Sequence, residues 1–179
     1  QLKNMLMAIL AAKNSNLSLD KIFEVIPKIK SVEGRFERIG KIKNNSKVIL
    51  DYAHTPEALK TCILNLREQF KEKRICVLFG CGGNRDQNKR SKMGKIASDY
   101  SDKIYLTDDN PRFEDPEKIR RDIKKGILRK NMIEISNRKI AIKLGIKDLN
   151  TGDILLVAGK GHEKTQDTGN RKVYFSDKK

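Results

Sequence analysis

The sequence predicts an α/β protein whose mostly parallel sheet is covered by helices on both faces. Three observations carry that class. Continuous apolar runs recur at residues 47–50, 74–79 and 153–158, the pattern of strands buried on both sides. Stretches with helical spacing lie between them, so strand and helix signals alternate from about residue 41 onward. Glycine-rich turns then follow two of the strands, where a doubly covered sheet places its ligand loops.

The elements follow in order. The first thirty residues read as two short helices. Leu2, Met5, Leu6, Ile9 and Leu10 recur at helical spacing. Ser18-Leu19-Asp20 opens the second helix, with Ile22, Phe23, Val25 and Ile26 as its apolar positions, and Pro27 bends or ends it. Residues 31–40 read as a linker into a new unit, because Gly34 breaks the pattern. A strand over 47–51 comes next. Thr55 then caps a helix that runs to about residue 70, with Pro56 at the first position, where its missing N–H costs no bond. A strand over 74–79, a helix over 92–100 and a strand over 103–107 succeed it. A helix over 116–128 takes Asp115 as its cap, and a short strand over 132–136 leads to a helix over 137–145. The strand over 153–158 closes the main alternation, and 173–175 adds a final edge strand. No internal repeat is present.

Composition removes several classes. No stretch approaches the roughly 20 apolar residues of a membrane span, and the apolar residues 5–12 lack the basic leader and small-residue cleavage site of a signal peptide. Cys62, Cys76 and Cys81 show no paired spacing for disulfides or zinc. Cys62 and Cys76 read as core, and Cys81 has no general base at a fixed spacing. A cytoplasmic protein, without membrane insertion, is expected. The chain opens on Gln1 inside an amphipathic helix, which reads as a piece of a longer protein. Its formal net charge of +16, from 39 basic and 23 acidic residues, points first toward nucleic acid. Yet 27 of the basic residues are Lys and scattered, while aromatic residues are 6% and not interleaved with them. The surplus is therefore read as solvated surface, and a basic α/β nucleic-acid-binding module stands as the alternative.

Four loops after strands carry unusual residues: Asp51-Tyr52-Ala53-His54-Thr55-Pro56, Gly80-Cys81-Gly82-Gly83-Asn84-Arg85-Asp86, Asp109-Asn110-Pro111-Arg112 and Gly159-Lys160-Gly161-His162-Glu163. They are expected to share one sheet edge. Arg85, on a glycine turn, suits a carboxylate or phosphate, or else is a solvated Arg. Asp109 and Arg112 suit the ammonium and carboxylate of a zwitterion, against the plainer reading of an Asx turn with proline. Glu163 suits an ammonium, and no second His or Cys stands with His162 to make a metal site. Asp51 ends a buried strand, where an acid often receives a ribose hydroxyl. The sequence contains no Gly-x-x-x-x-Gly-Lys-Ser/Thr.

Together with Gly34-Arg35-Phe36-Glu37, these motifs in this order closely resemble the Mur ligase family. The resemblance implies a Rossmann-like C-terminal domain over residues 34–179, preceded by residues 1–33 as the helical end of a central ATPase domain. It further implies part of an ATP-dependent, amide-forming ligase of peptidoglycan synthesis, adding meso-diaminopimelate to UDP-N-acetylmuramoyl-L-alanyl-D-glutamate through an acyl phosphate. By motif match, Arg85, Asp109, Asn110, Arg112, Gly159 and Glu163 would bind diaminopimelate, and Asn4, Arg35, Asp51 and His54 would bind ATP. No catalytic or metal-ligating residue falls on this chain: Mg2+ would be held mainly by the other domains, where the P-loop also lies. A monomer that does not bind nucleic acid is the implied state, inactive without those domains.

Overall fold

The structure is a computed structural model describing residues 2–30, 32–40, 42, 44–128 and 131–179. The expectations placed on Gln1 and Ser31 lie outside these. Two compact units divide the chain, Gln1–Val32 and Glu33–Lys179. In the first, α1 (Leu2–Asn14) leads through Asn16, at φ +64°, into α2 (Leu19–Val25). Ser18 caps α2, and Ile22 is its buried side chain. Pro27 sits in a single 3₁₀ turn that ends the helix, as its fixed φ and missing N–H require.

The second unit is built on a six-stranded sheet in the order β1-β2-β6-β3-β4-β5. Its strands are β1 (Glu37–Ile39), β2 (Lys47–Asp51), β3 (Ile75–Phe79), β4 (Lys103–Leu106), β5 (Met132–Glu134) and β6 (Ile154–Ala158). All neighbours run parallel except β1, which pairs antiparallel with β2. Between strands lie α3 (Pro56–Gln69), α4 (Lys89–Tyr100), α5 (Pro116–Lys124) and α6 (Arg138–Lys147). Thr55, Asp115 and Asn137 cap α3, α5 and α6 by accepting from the N–H groups of Ala58, Glu117 and Ile140. Each satisfies an amide that the first helical turn leaves unpaired.

Every residue of β3 and β6 is buried, and alternate side chains serve opposite faces. Ile49, Val77, Phe79 and Leu156 pack under Leu59, Ile63 and Leu66 of α3, Met93 and Ala97 of α4, and Ile119 and Ile123 of α5. Val48, Leu50, Leu78, Tyr105, Leu155 and Val157 form the other face with Ala141 of α6. Helices α4 and α5 approach so closely that a Cβ on Gly94 would lie 2.1 Å from the Ile123 carbonyl oxygen.

Beyond shifts of two or three residues at the ends of α4, β5 and α6, three details differ from the sequence expectation. The supposed linker over 31–40 contains β1, a three-residue edge strand too short to show a hydrophobic alternation. Helix α5 stops at Lys124, because Gly126 and Ile127 bond back to Ile123 and Lys124 in tighter turns. The strand expected at 173–175 is β8 (Lys172–Tyr174), and it does not extend the main sheet. It pairs antiparallel with β7 (Thr165–Asp167) in a separate hairpin.

Candidate functional site

Because β2, β6, β3 and β4 are adjacent and parallel, their carboxyl ends bring four loops to one edge. The loops touch backbone to backbone. Gly83 N–H donates to the Asn110 carbonyl at 2.9 Å, and Gly159 N–H to the Asp51 carbonyl at 3.1 Å. Gly83 has no room for a side chain: a Cβ there would meet the Pro111 carbonyl oxygen at 1.9 Å. Gly159, at φ +110°, faces the Asp109 carboxylate, whose Oδ2 would lie 2.8 Å from an added Cβ.

At this edge stand the residues expected to bind an amino acid. Arg112, at φ +52°, donates from Nη1 to the Gly83 carbonyl at 2.8 Å, and its Nε is 4.0 Å from Asp167. Its side chain keeps a quarter of its surface open. Arg85 is exposed on the β3–α4 loop. Asp109 is nearly buried; its Oδ1 accepts from the Asn110 N–H, while Oδ2 has no partner among the described residues. Asn110 is buried, and its amide donates to Glu163 Oε2 at 2.9 Å. Glu163 Oε1 is likewise unpartnered among the described residues. The edge therefore carries the Arg112 guanidinium and two carboxylate oxygens without partners among the described residues, with Arg85 on the loop beside them, groups that suit a ligand carrying both carboxylates and an ammonium.

A second cluster lies on the β2 side. The Arg35 guanidinium sits 4.7 Å from the Tyr52 ring centroid. Tyr52 meets His54 edge-on at 4.6 Å and His162 at 5.4 Å. Asp51 is nearly buried, and both its oxygens are engaged, Oδ2 by the Phe36 N–H at 2.7 Å and Oδ1 by the Ala53 N–H at 2.8 Å. Its carboxylate thus braces the backbone that carries Arg35 and His54. Lys89, the first residue of α4, ties that helix to this cluster by donating to the His54 carbonyl at 2.8 Å. Asn4 lies on α1 of the first unit.

Several site-building residues escaped the sequence reading. Arg90, fully buried, joins α4 to Glu114 at 2.8 Å and Asp122 at 3.2 Å. Burial pushes the Glu114 carboxyl up, but hydrogen bonds from Arg90 and the Asn84 N–H outweigh it and leave the group below its ordinary range. Strand β7 backs the Asp109–Arg112 turn: Gln166 donates to the Asp109 carbonyl at 2.6 Å, and the Asp167 N–H to Asn110 Oδ1 at 3.0 Å. No alternation in Thr165-Gln166-Asp167 announces that strand. Burial pushes the thiols of Cys62 and Cys81 up to about 12 and that of Cys76 to about 11, so none is a nucleophile at neutral pH. Among the described residues, no group of three or more His, Cys, Asp or Glu could hold a metal, and no helix is long and apolar enough to cross a membrane.

This arrangement of loops on a mostly parallel sheet is shared. Residues 34–161 match the family described as Mur ligase, glutamate ligase domain, and the chain belongs to the Mur ligase family, with its Rossmann-like C-terminal fold. Within that family it is 46% identical, over 178 residues, to the UDP-N-acetylmuramoyl-L-alanyl-D-glutamate–2,6-diaminopimelate ligase of Rickettsia felis, covering 99% of this chain and 33% of that protein. A solved structure of a ligase of that name superposes with a TM-score of 0.75 at 36% identity, over 98% of this chain and 36% of the other. A bifunctional folylpolyglutamate synthase/dihydrofolate synthase from Yersinia pestis, complexed with AMPPNP and Mn ion, shares the fold at 21% identity and a TM-score of 0.61, over 80% of this chain and 32% of that one. The chain thus spans about a third of the length of the curated relatives it matches. A nucleic-acid-binding module finds no support: these relatives are ligases and synthases, and Arg90, Arg120 and Arg138 are buried in ion pairs rather than displayed.

Proposed function

We propose that this chain supplies the amino-acid site, and part of the nucleotide site, of a cytoplasmic ATP-dependent ligase. That enzyme joins meso-diaminopimelate to UDP-N-acetylmuramoyl-L-alanyl-D-glutamate in peptidoglycan synthesis. What supports the reading is that Arg112, Asp109 and Glu163 stand on adjoining loops at one sheet edge, linked through Gly83, Asn110 and Gly159, with Arg85 exposed on the β3–α4 loop beside them. Diaminopimelate differs from lysine by one carboxylate on the carbon bearing its far amine, so a site for it needs one more cation. Arg112 suits that carboxylate, Arg85 the other, and Asp109 with Glu163 the far ammonium. Gly159 leaves room for the chain between them, and Asn110 holds Glu163 in place.

The chemistry follows from the groups joined. A carboxylate resists attack by an amine at neutral pH. Transfer of the γ-phosphoryl group of ATP to the D-glutamyl carboxylate gives ADP and an acyl phosphate. The unprotonated amine of diaminopimelate then adds to the acyl carbon, the C–O bond to phosphate breaks, and the amide forms with loss of a proton and inorganic phosphate. This chain's part is positioning, which alone contributes ~7–11 kcal/mol in well-oriented reactions.

For ATP, the aromatic surface of Tyr52, with Arg35 against it and His54 and His162 beside it, fits a base and an anion. Arg35 and His54 would hold the nucleotide and Asp51 would brace them; Asn4, on the helical unit read as the end of the central domain, is the remaining residue assigned to ATP by motif match. No magnesium step is assigned to these residues, which contain no ligand cluster. The ligase acts as a monomer on small molecules, and the 179 residues, with no phosphate loop of the Gly-x-x-x-x-Gly-Lys-Ser/Thr type, do not turn over alone.

The test is a titration of the chain with meso-diaminopimelate, followed residue by residue by NMR, with L-lysine as control. Signals of Arg85, Asn110, Arg112, Gly159 and Glu163 should shift with meso-diaminopimelate and not with L-lysine. Equal responses, or none, would refute the reading.

A further inference from the structure

Lys160 follows β6 between two glycines, and its side chain is fully buried. A lone ammonium in such a place costs several kcal/mol unless all its protons are taken. Here they are. Nζ donates to Asn110 Oδ1 at 2.9 Å, to Glu163 Oε2 at 3.0 Å and to the Thr165 carbonyl at 2.8 Å. With three donors and three acceptors, it has nothing left to offer a ligand.

Its effect falls on two neighbours. Asn110 Oδ1 receives Lys160 and the Asp167 N–H together. An amide oxygen so occupied fixes which way the group lies, and its NH2 must point to Glu163 Oε2. That oxygen then accepts from both Lys160 and Asn110, so Glu163 is held by one oxygen and leaves the other, Oε1, without a partner among the described residues. Lys160 also offsets one of the two negative charges that Asp109 and Glu163 bring to the edge, without competing for the site itself.

We propose that Lys160 is a positioning residue of the amino-acid site: its buried ammonium orients the Asn110 amide and turns Glu163 Oε1 toward the ammonium of the incoming amino acid. This rests on the amino-acid site proposed above. Lys160 acts through Asn110 and Glu163, so its removal and the removal of the Glu163 charge must overlap in effect. Two unrelated contributions would multiply instead.

The experiment is a double-mutant cycle on the 179-residue chain with Lys160→Met and Glu163→Gln, reading the affinity for meso-diaminopimelate and the NMR signals of the Asn110 side-chain amide. Each single variant should weaken binding about tenfold or more, and the double variant no more than the worse single one. The Asn110 NH2 signals, slow to exchange in the parent chain, should move and exchange faster in Lys160→Met while other β-sheet amides stay protected. Multiplying effects, unchanged affinity in Lys160→Met, or an unaltered Asn110 amide would overturn the proposal. Should the methionine variant not fold, Lys160→Gln, which keeps two donors but no charge, takes its place with the same expected overlap. A parent chain indifferent to meso-diaminopimelate would instead sink the amino-acid site reading, and the Asn110 signals would still decide whether Lys160 orients that amide.

Discussion

Replacing Gly83 with alanine should pull apart two loops of the binding edge. The new Cβ would lie 1.9 Å from the Pro111 carbonyl oxygen, and such contacts are essentially never closer than 3.0 Å, so the backbones must separate by about 1.1 Å. Overpacking of this kind costs ~1–3 kcal/mol. The same movement stretches the Gly83–Asn110 backbone bond, worth ~0.5–1.5 kcal/mol, and the Arg112–Gly83 bond, which is charge-assisted but partly screened by solvent. One displacement relieves all three, so the sum is ~2–4 kcal/mol rather than their simple total. In urea, at a slope of ~2 kcal/mol/M, the unfolding midpoint should fall by ~1–2 M. Affinity for meso-diaminopimelate should fall about tenfold or more, because the movement displaces Arg112, whose Nη1 is anchored on the Gly83 carbonyl. Gly145→Ala is the control. Its Cβ would meet side-chain atoms only, the Leu155 methyls at 3.2 and 3.5 Å and the Tyr105 ring at 3.7 Å, and alanine is the better helix former by ~0.8–1 kcal/mol. A Gly83→Ala midpoint within ~0.3 M of the parent would refute the claim that these loops are held backbone to backbone.

Other expectations follow from the same geometry. Arg112→Ala should weaken meso-diaminopimelate binding by ~10–100-fold, while any residual binding of L-lysine stays unchanged; equal losses for both would remove Arg112 from the distal carboxylate. Gly94→Ala should destabilise by ~2 kcal/mol or more in thermal unfolding, because the clash is with the fixed backbone of α5. The three thiols should resist a thiol-reactive dye in the native chain and react promptly in urea, since burial holds their protons on. Stability should decline as the medium is acidified below about pH 5. The hydrogen bond from Lys178 holds the Glu37 carboxyl low, that from Lys125 holds Asp122 low, and those from Lys103 and Tyr105 hold Asp148 low. Groups lowered on folding stabilise fully above their ordinary range, and that contribution disappears as pH falls through their folded values. Burial raises Asp108, which opposes the trend. Stability that rose steadily on acidification would contradict these pairings.

Much of this was legible in the residues. The strands β2, β3, β4 and β6 are continuous apolar runs, and a run buried on both faces needs no neighbour to declare it. Thr55-Pro56 and Asp115-Pro116 mark helix starts because capping chemistry is local. The convergence of four loops followed from parallel strands alone. What stayed hidden depends on partners far along the chain. Strand β7 carries Thr, Gln and Asp, residues that pair there because the Asp109–Arg112 turn lies above them. Arg90 and Lys160 received no role of their own, since nothing in their own neighbourhoods shows that Glu114, Asp122, Asn110 and Glu163 close around them. Asp51, expected to offer its carboxylate to a nucleotide, also accepts from the Phe36 and Ala53 amides, one on each oxygen, a bracing role set by folding rather than by spacing.

The place of β6 in the sheet sets an order for making the molecule. It lies between β2 and β3, yet it is the last strand of the sheet to leave the ribosome. Until then the nascent chain can pair β1 with β2 and β3 with β4 and β5, but β2 and β3 both lack the neighbour that the finished sheet gives them. Lys47 and Ile75 both take Ile154 as their neighbour, so a single late segment seals two seams. Chains stopped short of residue 158 should therefore be sticky rather than merely inactive. The loop edge, drawn from both halves, can close only once the final strand lies between them.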